Sequence, residues 1–271
     1  MIKEENLMIS KQRLKVKPNS LKPMIGKFAL SKSDTVLDAG CGYGVRSVEI
    51  GRDVGAHVIS IDLSPNCLIG LKQQKNEYEI DIIRADLQNI PLKDKSVNVI
   101  VSGDVLEHIP EVSKTVSDFY RIIKNKGIAF LLVPSSISQK LYCKLDNTYA
   151  EQRGHVRIFG ATQFKNLISS AGFVVFTSYH ADFFRSIYHL LQVLLRTKTE
   201  HQTGRAVNEN TSLSTLWSIS RLLYYSWVGS LIEAFGKFIF PNSFVIIATK
   251  PAKIRRGNNN QNINQLDSSG R

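Results

Sequence analysis

The feature that most constrains this chain is one short stretch, Val36-Leu37-Asp38-Ala39-Gly40-Cys41-Gly42-Tyr43-Gly44. An apolar run of strand length passes into three glycines spaced two apart, and a helical pattern follows. Glycines at that spacing permit a tight turn and let a ligand lie against bare backbone. A dinucleotide fingerprint asks for Gly or Ala at position 45, where Val45 stands. A phosphate-binding Walker loop needs Gly-Lys-Ser/Thr, which is absent. The turn therefore suits a nucleoside ligand that lacks a pyrophosphate.

From residue 35 to about 180, apolar runs alternate with helical patterns. Thr35–Ala39, His57–Asp62, Ile80–Ala85, Val97–Ser102 and Gly127–Pro134 read as buried strands. Pro65–Glu79 reads as a helix because Ser64 is a good N-cap and Pro stands at the first helical position. In Glu111–Lys126, Val112, Val116, Phe119 and Ile123 form one buried stripe, and a cationic last turn runs into Gly127. Ala161–Ala171 is a further helix, Phe173–Tyr179 a sixth strand and Ser243–Thr249 a seventh. This alternation predicts an α/β fold, a doubly wound and mostly parallel seven-stranded sheet. Residues 33–182 and 242–251 would form the core, with a helical insert at 183–241 before the last strand. A basic segment over 1–32 and a disordered tail over 252–271 complete the expected layout.

Two acids extend the glycine signal. Asp62 ends the second strand, where a carboxylate can accept hydrogen bonds from ribose hydroxyls. Asp86 follows the third strand, where it could accept from an adenine amino group; a turn-forming Asp is the plainer reading. All three features lie at the carboxyl ends of neighbouring strands, along the crevice where open α/β sheets bind ligands.

With these residues together, VLDAGCGYG, ISIDLS, ADLQNIPL and SGDVLEHIP resemble the successive motifs of class I S-adenosylmethionine-dependent methyltransferases. The subgroup resembled includes quinone-biosynthesis and other small-molecule or lipid enzymes. The resemblance implies S-adenosyl-L-methionine as cofactor. Asp38 and the turn Gly40, Cys41, Gly42 and Gly44 would hold its methionine part. Asp62 and Leu63 would hold the ribose, and Asp86 with Leu87 the adenine. Where the family's fourth strand commonly carries Asp, this chain has Asn98.

An activated sulfonium donor leaves the protein modest work: to align the nucleophile, exclude water and take a proton where the nucleophile carries one. Candidate bases follow the fourth strand at Asp104, Glu107 and His108, and His155 is another. Capping, packing and loop anchoring are the alternative roles for these residues. Cys41, Cys67 and Cys143 are too few and too scattered for a disulfide framework or a four-ligand zinc site, and no metal is expected. Cys41 reads as a packed residue in the turn and not as a nucleophile.

A net charge of +12 suggests nucleic acid, but its distribution argues against a nucleic-acid reader. Residues 1–32 hold eight Lys/Arg and two Glu, and residues 250–271 hold five Lys/Arg and one Asp, so most of the excess sits on the tails. No signal peptide is expected from MIKEENLMIS, and the expected location is the cytoplasm. Within the insert, Phe184–Arg196 shows Phe184, Ile187, Leu191 and Leu194 on one face. Leu213–Phe240 carries seven aromatic residues, interrupted only by Arg221, Glu233 and Lys237 among charged groups. Two arrangements fit. The insert could be a lid that buries its aromatics over the acceptor, or a peripheral membrane contact assisted by the basic tails. Either favours methyl transfer to a small, apolar or lipid-like acceptor. A non-catalytic cofactor-binding scaffold and an RNA or protein methyltransferase are the competing functions.

Overall fold

The computed structural model describes residues 30–75, 78–195 and 226–252. Most of the basic N-terminal segment, residues 196–225 of the insert and nearly all of the tail lie outside the described residues. In chain order the elements are β1 (Thr35–Ala39), α1 (Val45–Val54), β2 (His57–Asp62), α2 (Pro65–Gln74), β3 (Ile80–Arg84) and β4 (Val97–Gly103). A 3-10 turn (Leu106–His108) leads to α3 (Val112–Ile122), β5 (Ile123–Pro134), α4 (Ser136–Leu145), α5 (Tyr149–Gln152) and α6 (Ala161–Ser170). The chain ends with β6 (Val174–Ala181), α7 (Phe183–Leu194), α8 (Trp227–Ile239) and β7 (Ser243–Thr249). The seven strands form one sheet in the order β3-β2-β1-β4-β5-β7-β6. β7 runs antiparallel to both its neighbours, and the other pairings are parallel.

Strand alternation divides the core between the two faces. Leu37, Ile59, Ile61 and Ile100 point to the side where Val116, Phe119, Phe164 and Ile168 pack. Val36, Val58, Val99 and Val101 point to the side covered by Ile50, Leu68 and Leu71. Burial on both faces explains why the central strands read as unbroken apolar runs.

The helix expected over 111–126 ends earlier, at Ile122, and β5 begins at Ile123. A register shift between Val97 and Val99 absorbs the extra residues. A Cβ on Gly127 would lie 2.8 Å from the Asn98 carbonyl oxygen, so the strand needs glycine there. The buried Lys250, just beyond β7, donates to the Ile123 carbonyl at 3.0 Å and lies 4.5 Å above the Tyr120 ring. Its charge thus meets the negative end of α3. Asn98 does the work expected of the more usual Asp: its Oδ1 accepts from the Thr35 N–H at 3.1 Å and from Lys124 Nζ at 2.8 Å.

Of the insert's two described helices, α7 turns Ser186, His189 and Gln192 inward. Ile187 and Leu194, from the apolar stripe seen in the sequence, are exposed. Asp182, the residue before α7, adopts φ 66° and gives no side-chain cap. Glu233 of α8 supplies the missing acceptors, taking the Phe183 N–H at 2.9 Å and the Phe184 N–H at 3.3 Å. A carboxylate at a helix N-terminus satisfies orphan donors and meets the positive end of the macrodipole. Glu233 is 1% exposed, so Glu233→Ala would leave two donors unpaired away from water. The expected loss is about 1.5–3 kcal/mol, read as a thermal midpoint lowered by several degrees. An unchanged melting curve would show that α8 does not hold α7 in place.

Candidate active site

The sheet order reverses between β1 and β4, and the loops at the carboxyl ends of those strands face one crevice. Gly40, Gly42 and Gly44 all have positive φ, at 73°, 52° and 76°. The neighbours differ. A Cβ on Gly40 would lie 2.4 Å from Val105 Cγ2, and one on Gly44 would lie 2.2 Å from Leu71 Cδ1. A Cβ on Gly42 would meet nothing within 4 Å. Two glycines are thus demanded by packing, and the middle one presents bare backbone to open space.

Asp62 closes this turn from β2. Its Oδ2 accepts the Gly42 N–H at 2.8 Å and its Oδ1 accepts the Ser64 N–H at 2.9 Å. The carboxylate is half-buried at the crevice edge, beside the exposed Leu63. Asp86 is exposed after β3 and accepts from the Gln88 backbone at 2.9 Å and from its side-chain amide. The turn-forming reading of Asp86 is therefore realised, and its neighbour Leu87 is buried in the core.

Asp38 occupies a different layer from its assignment. It is 0% exposed, so in this conformation it touches no ligand directly. Its Oδ2 accepts from Ser47 Oγ at 2.7 Å, and Ser47 in turn accepts from Ser60 Oγ at 2.8 Å. Arg46 Nη1 lies 3.7 Å from Asp38 Oδ1 and Nη2 donates to the Gly103 carbonyl at 3.2 Å. Burial raises the Asp38 carboxyl above its ordinary range, and the Arg46 guanidinium opposes that rise. Asp38 therefore ties α1 to β1 and aims Arg46 across the ends of β1 and β4. Cys41 is buried and its thiol is pushed up, first by burial and then by the charges of Asp38 and Asp62, so it stays protonated.

Opposite the glycine turn, Val105 carries the loop that follows β4. Asp104 adopts φ 57° there, and its Oδ2 pairs with Arg185 of α7 at 3.2 Å. Two hydrogen bonds join this loop to residues 154–156. His108 Nδ1 contacts the Gly154 carbonyl at 2.9 Å, and the Val156 N–H donates to the Glu107 carbonyl at 3.0 Å. The carbonyl requires that Nδ1 be the donor, and the other ring nitrogen, Nε2, faces Glu107. That nitrogen lies 3.8 Å from Glu107 Oε1, and the His108 and His155 rings meet edge-on with centroids 4.9 Å apart.

These three side chains are thus brought together. Glu107 is 1% exposed with neither carboxylate oxygen hydrogen-bonded, and His155 Nδ1 is likewise buried without a partner. Burial, and after it the charge of Asp104, holds the Glu107 carboxyl well above the usual carboxylate range. Burial and then His108 push the His155 imidazole down to about 4, so it is neutral near pH 7. One donor atom from each of Glu107, His108 and His155 falls within 4.8 Å of the others, a spacing that a divalent cation could also bridge. Local spacing could not reveal this cluster, because it joins neighbouring residues to one far along the chain. Arg46 and Arg185 were missed as well. Nothing in the sequence near either points to its carboxylate partner.

A seven-stranded sheet of this order, with a bare-backbone glycine turn and an acid at the end of β2, defines the class I methyltransferase fold and its nucleoside crevice. Residues 37–131 match the family described as methyltransferase domain. A probable S-adenosylmethionine-dependent methyltransferase of Mycolicibacterium smegmatis is 28% identical over 146 residues, covering 52% of this chain and 52% of that protein. A demethylmenaquinone methyltransferase of Staphylococcus saprophyticus is 25% identical over 117 residues, covering 42% of this chain and 50% of that one. Among solved structures, a chain of the complex between the Haloferax volcanii Trm112 methyltransferase activator and a methyltransferase superposes with a TM-score of 0.59. It is 13% identical, with coverage of 92% of this chain and 95% of that chain. This chain has the fold of class I S-adenosylmethionine-dependent methyltransferases. It spans about half the length of the curated relatives it matches.

The crevice fits the cofactor of that class. The open space at Gly42 leaves room for the ligand, and the Asp62 carboxylate at its edge is an acceptor of the kind that ribose hydroxyls require.

Proposed function

We propose that this chain transfers a methyl group from S-adenosyl-L-methionine to a small acceptor with an apolar body. The observation that carries the reading is the open backbone at Gly42 beside Asp62, at the same strand ends where the loop after β4 brings Glu107 and His108 together with His155. When bound, the cofactor supplies an electrophilic methyl on a positively charged sulfur. The residues of this chain bind and orient. Asp62 accepts from the ribose, the Asp86–Leu87 turn borders the adenine, and the turn from Gly40 to Gly44 shapes the path between them. Arg46, held by Asp38, lies at the junction of β1 and β4.

On the acceptor side, His155 and His108 are the proton-handling candidates. His155 is neutral through pH 5–8 and its buried Nδ1 lacks a partner among the described residues, which suits hydrogen bonding to an acceptor. His108 is held by the Gly154 carbonyl with its Nε2 towards Glu107. Glu107, biased towards its protonated form, suits donation rather than base work. The demethylmenaquinone methyltransferase among the relatives supports an apolar acceptor.

A labelled-methyl assay on total cell extract, separated into lipid, small-molecule, RNA and protein fractions, tests the reading. Label should appear in the lipid or apolar small-molecule fraction. Label in RNA or protein would replace the acceptor class, and cofactor binding without any labelled product would favour a scaffold. With the acceptor in hand, His155→Ala or His108→Ala should lower kcat by about a hundredfold or more if that residue acts as a base. Affinity for S-adenosylhomocysteine should be unchanged. Full turnover in both variants would leave the histidines as loop anchors, with alignment alone supporting the chemistry.

A further inference from the structure

The insert helix α8 is turned inside out. Its only charged residues, Glu233 and Lys237, are both buried. Its apolar residues Val228, Leu231, Ile232, Phe235, Phe238 and Ile239 face outward, with Phe235 71%, Phe238 74% and Ile239 77% exposed. The periodicity is that of one helical face. Rotation cannot relieve the exposure. Glu233 is bonded to the N-terminus of α7, and a Cβ on Gly236 would sit 2.3 Å from the Phe183 ring. Neighbouring α7 behaves alike, with Ser186, His189 and Gln192 inward and Ile187, Leu194 and Leu195 exposed. The outer surface of these two helices is therefore apolar and their inner surface polar, the reverse of a helix pair that packs on a core.

We propose that this outer face of α7 and α8 docks on an anionic lipid surface. A helix of this length, about 20 Å, lies along an interface, and no described helix is long and apolar enough to cross a membrane. Electrostatics chooses between lipid and a second copy of the chain. The protein carries +12, so two copies repel, whereas anionic headgroups attract it. Much of that charge lies on the two terminal segments, which contribute +6 and +4. The assignment is independent of the methyl-transfer reading, although an apolar acceptor would be met at the same surface.

Sedimentation of the full-length protein with vesicles provides the test. Vesicles of phosphatidylcholine alone are compared with vesicles containing phosphatidylglycerol, at low and high salt. The wild type should pellet with the anionic vesicles at low salt and be released by high salt. The triple variant Phe235→Ser, Phe238→Ser and Ile239→Ser should partition at least about tenfold less. Its melting curve and its affinity for S-adenosylhomocysteine should match the wild type; should the triple variant misfold, Phe238→Ser alone should still weaken pelleting measurably. A wild type that stays in the supernatant at low salt, or variants that pellet equally well, would overturn the proposal. So would light scattering that showed a wild-type dimer and a monomeric variant, which would assign the face to a second copy. Vesicle binding without S-adenosylhomocysteine binding would retain the lipid face and remove the methyl-transfer reading.

Discussion

Asp62→Ala is expected to weaken S-adenosylhomocysteine binding by a factor of ten to more than a hundred. A hydrogen bond to a charged group contributes about 1.5–3 kcal/mol, and each 1.4 kcal/mol is about tenfold in affinity. The carboxylate has two duties here. It offers the acceptor that ribose hydroxyls need, and it already holds the N–H groups of Gly42 and Ser64 at 2.8 and 2.9 Å. Removing it therefore withdraws a ligand contact and frees the turn that shapes the site. Asp62→Asn keeps one amide oxygen and should fall between the wild type and the alanine variant. Calorimetry on the three proteins decides the matter. Unchanged affinity in Asp62→Ala would place the nucleoside outside the crevice formed by β1, β2 and β3.

Alanine at Gly42 and at Gly44 should separate binding from folding. Both backbones are left-handed, which costs a residue with a Cβ about 1–2 kcal/mol. At Gly44 the added carbon would stand 2.2 Å from Leu71 Cδ1, and Leu71 is fully buried with nowhere to swing. Overpacking adds about 1–3 kcal/mol, so Gly44→Ala should lower the thermal midpoint by about 4 °C or more. At Gly42 the same carbon meets open space. Gly42→Ala should keep most of its stability and lose cofactor affinity instead, because the carbon occupies the surface against which the ligand lies. Melting curves and calorimetry on both variants give the comparison. A Gly42→Ala protein that binds normally would show that the ligand does not lie against that backbone.

The contrast between these glycines also shows what could be read without coordinates. Their spacing marked a turn, and its place after a buried strand marked the crevice. Which glycine faces the ligand depends on Val105 and Leu71, and the spacing says nothing about side chains that arrive from other loops. Asp38 shows the same limit. Its position at the end of β1 suggested ligand contact, yet Ser47 and Arg46 enclose it beneath the surface. The candidate residues were found singly, and it is tertiary contacts, among them the two bonds linking the Glu107–His108 loop to residues 154–156, that bring His155 to them. The insert was legible in kind but not in direction. Periodicity identified the apolar stripe on α7, but an apolar stripe does not state which way it faces. The lid arrangement expected buried aromatics, and Phe235 and Phe238 on α8 are exposed.

The strand ladder has one further consequence. Ala181, the last residue of β6, pairs with Ser243, the first of β7, and the Asn242 N–H donates to the Ala181 carbonyl at 3.0 Å. Residues 182–242 thus leave the sheet and rejoin it at one hydrogen-bonded step. The entropy of closing such an excursion grows only with the logarithm of its length, so halving it changes folding by about 0.6 kcal/mol. The described part of the excursion is tied to the rest of the protein by the Asp104–Arg185 pair, the Tyr142 hydroxyl on the Ser186 carbonyl and the packing of α8 against β6. The architecture separates the glycine-turn crevice at β1 and β2 from an excursion at the far edge of the sheet. Grafting a different excursion between Ala181 and Ser243 would be a way to redirect such an enzyme while its cofactor crevice stays as it is.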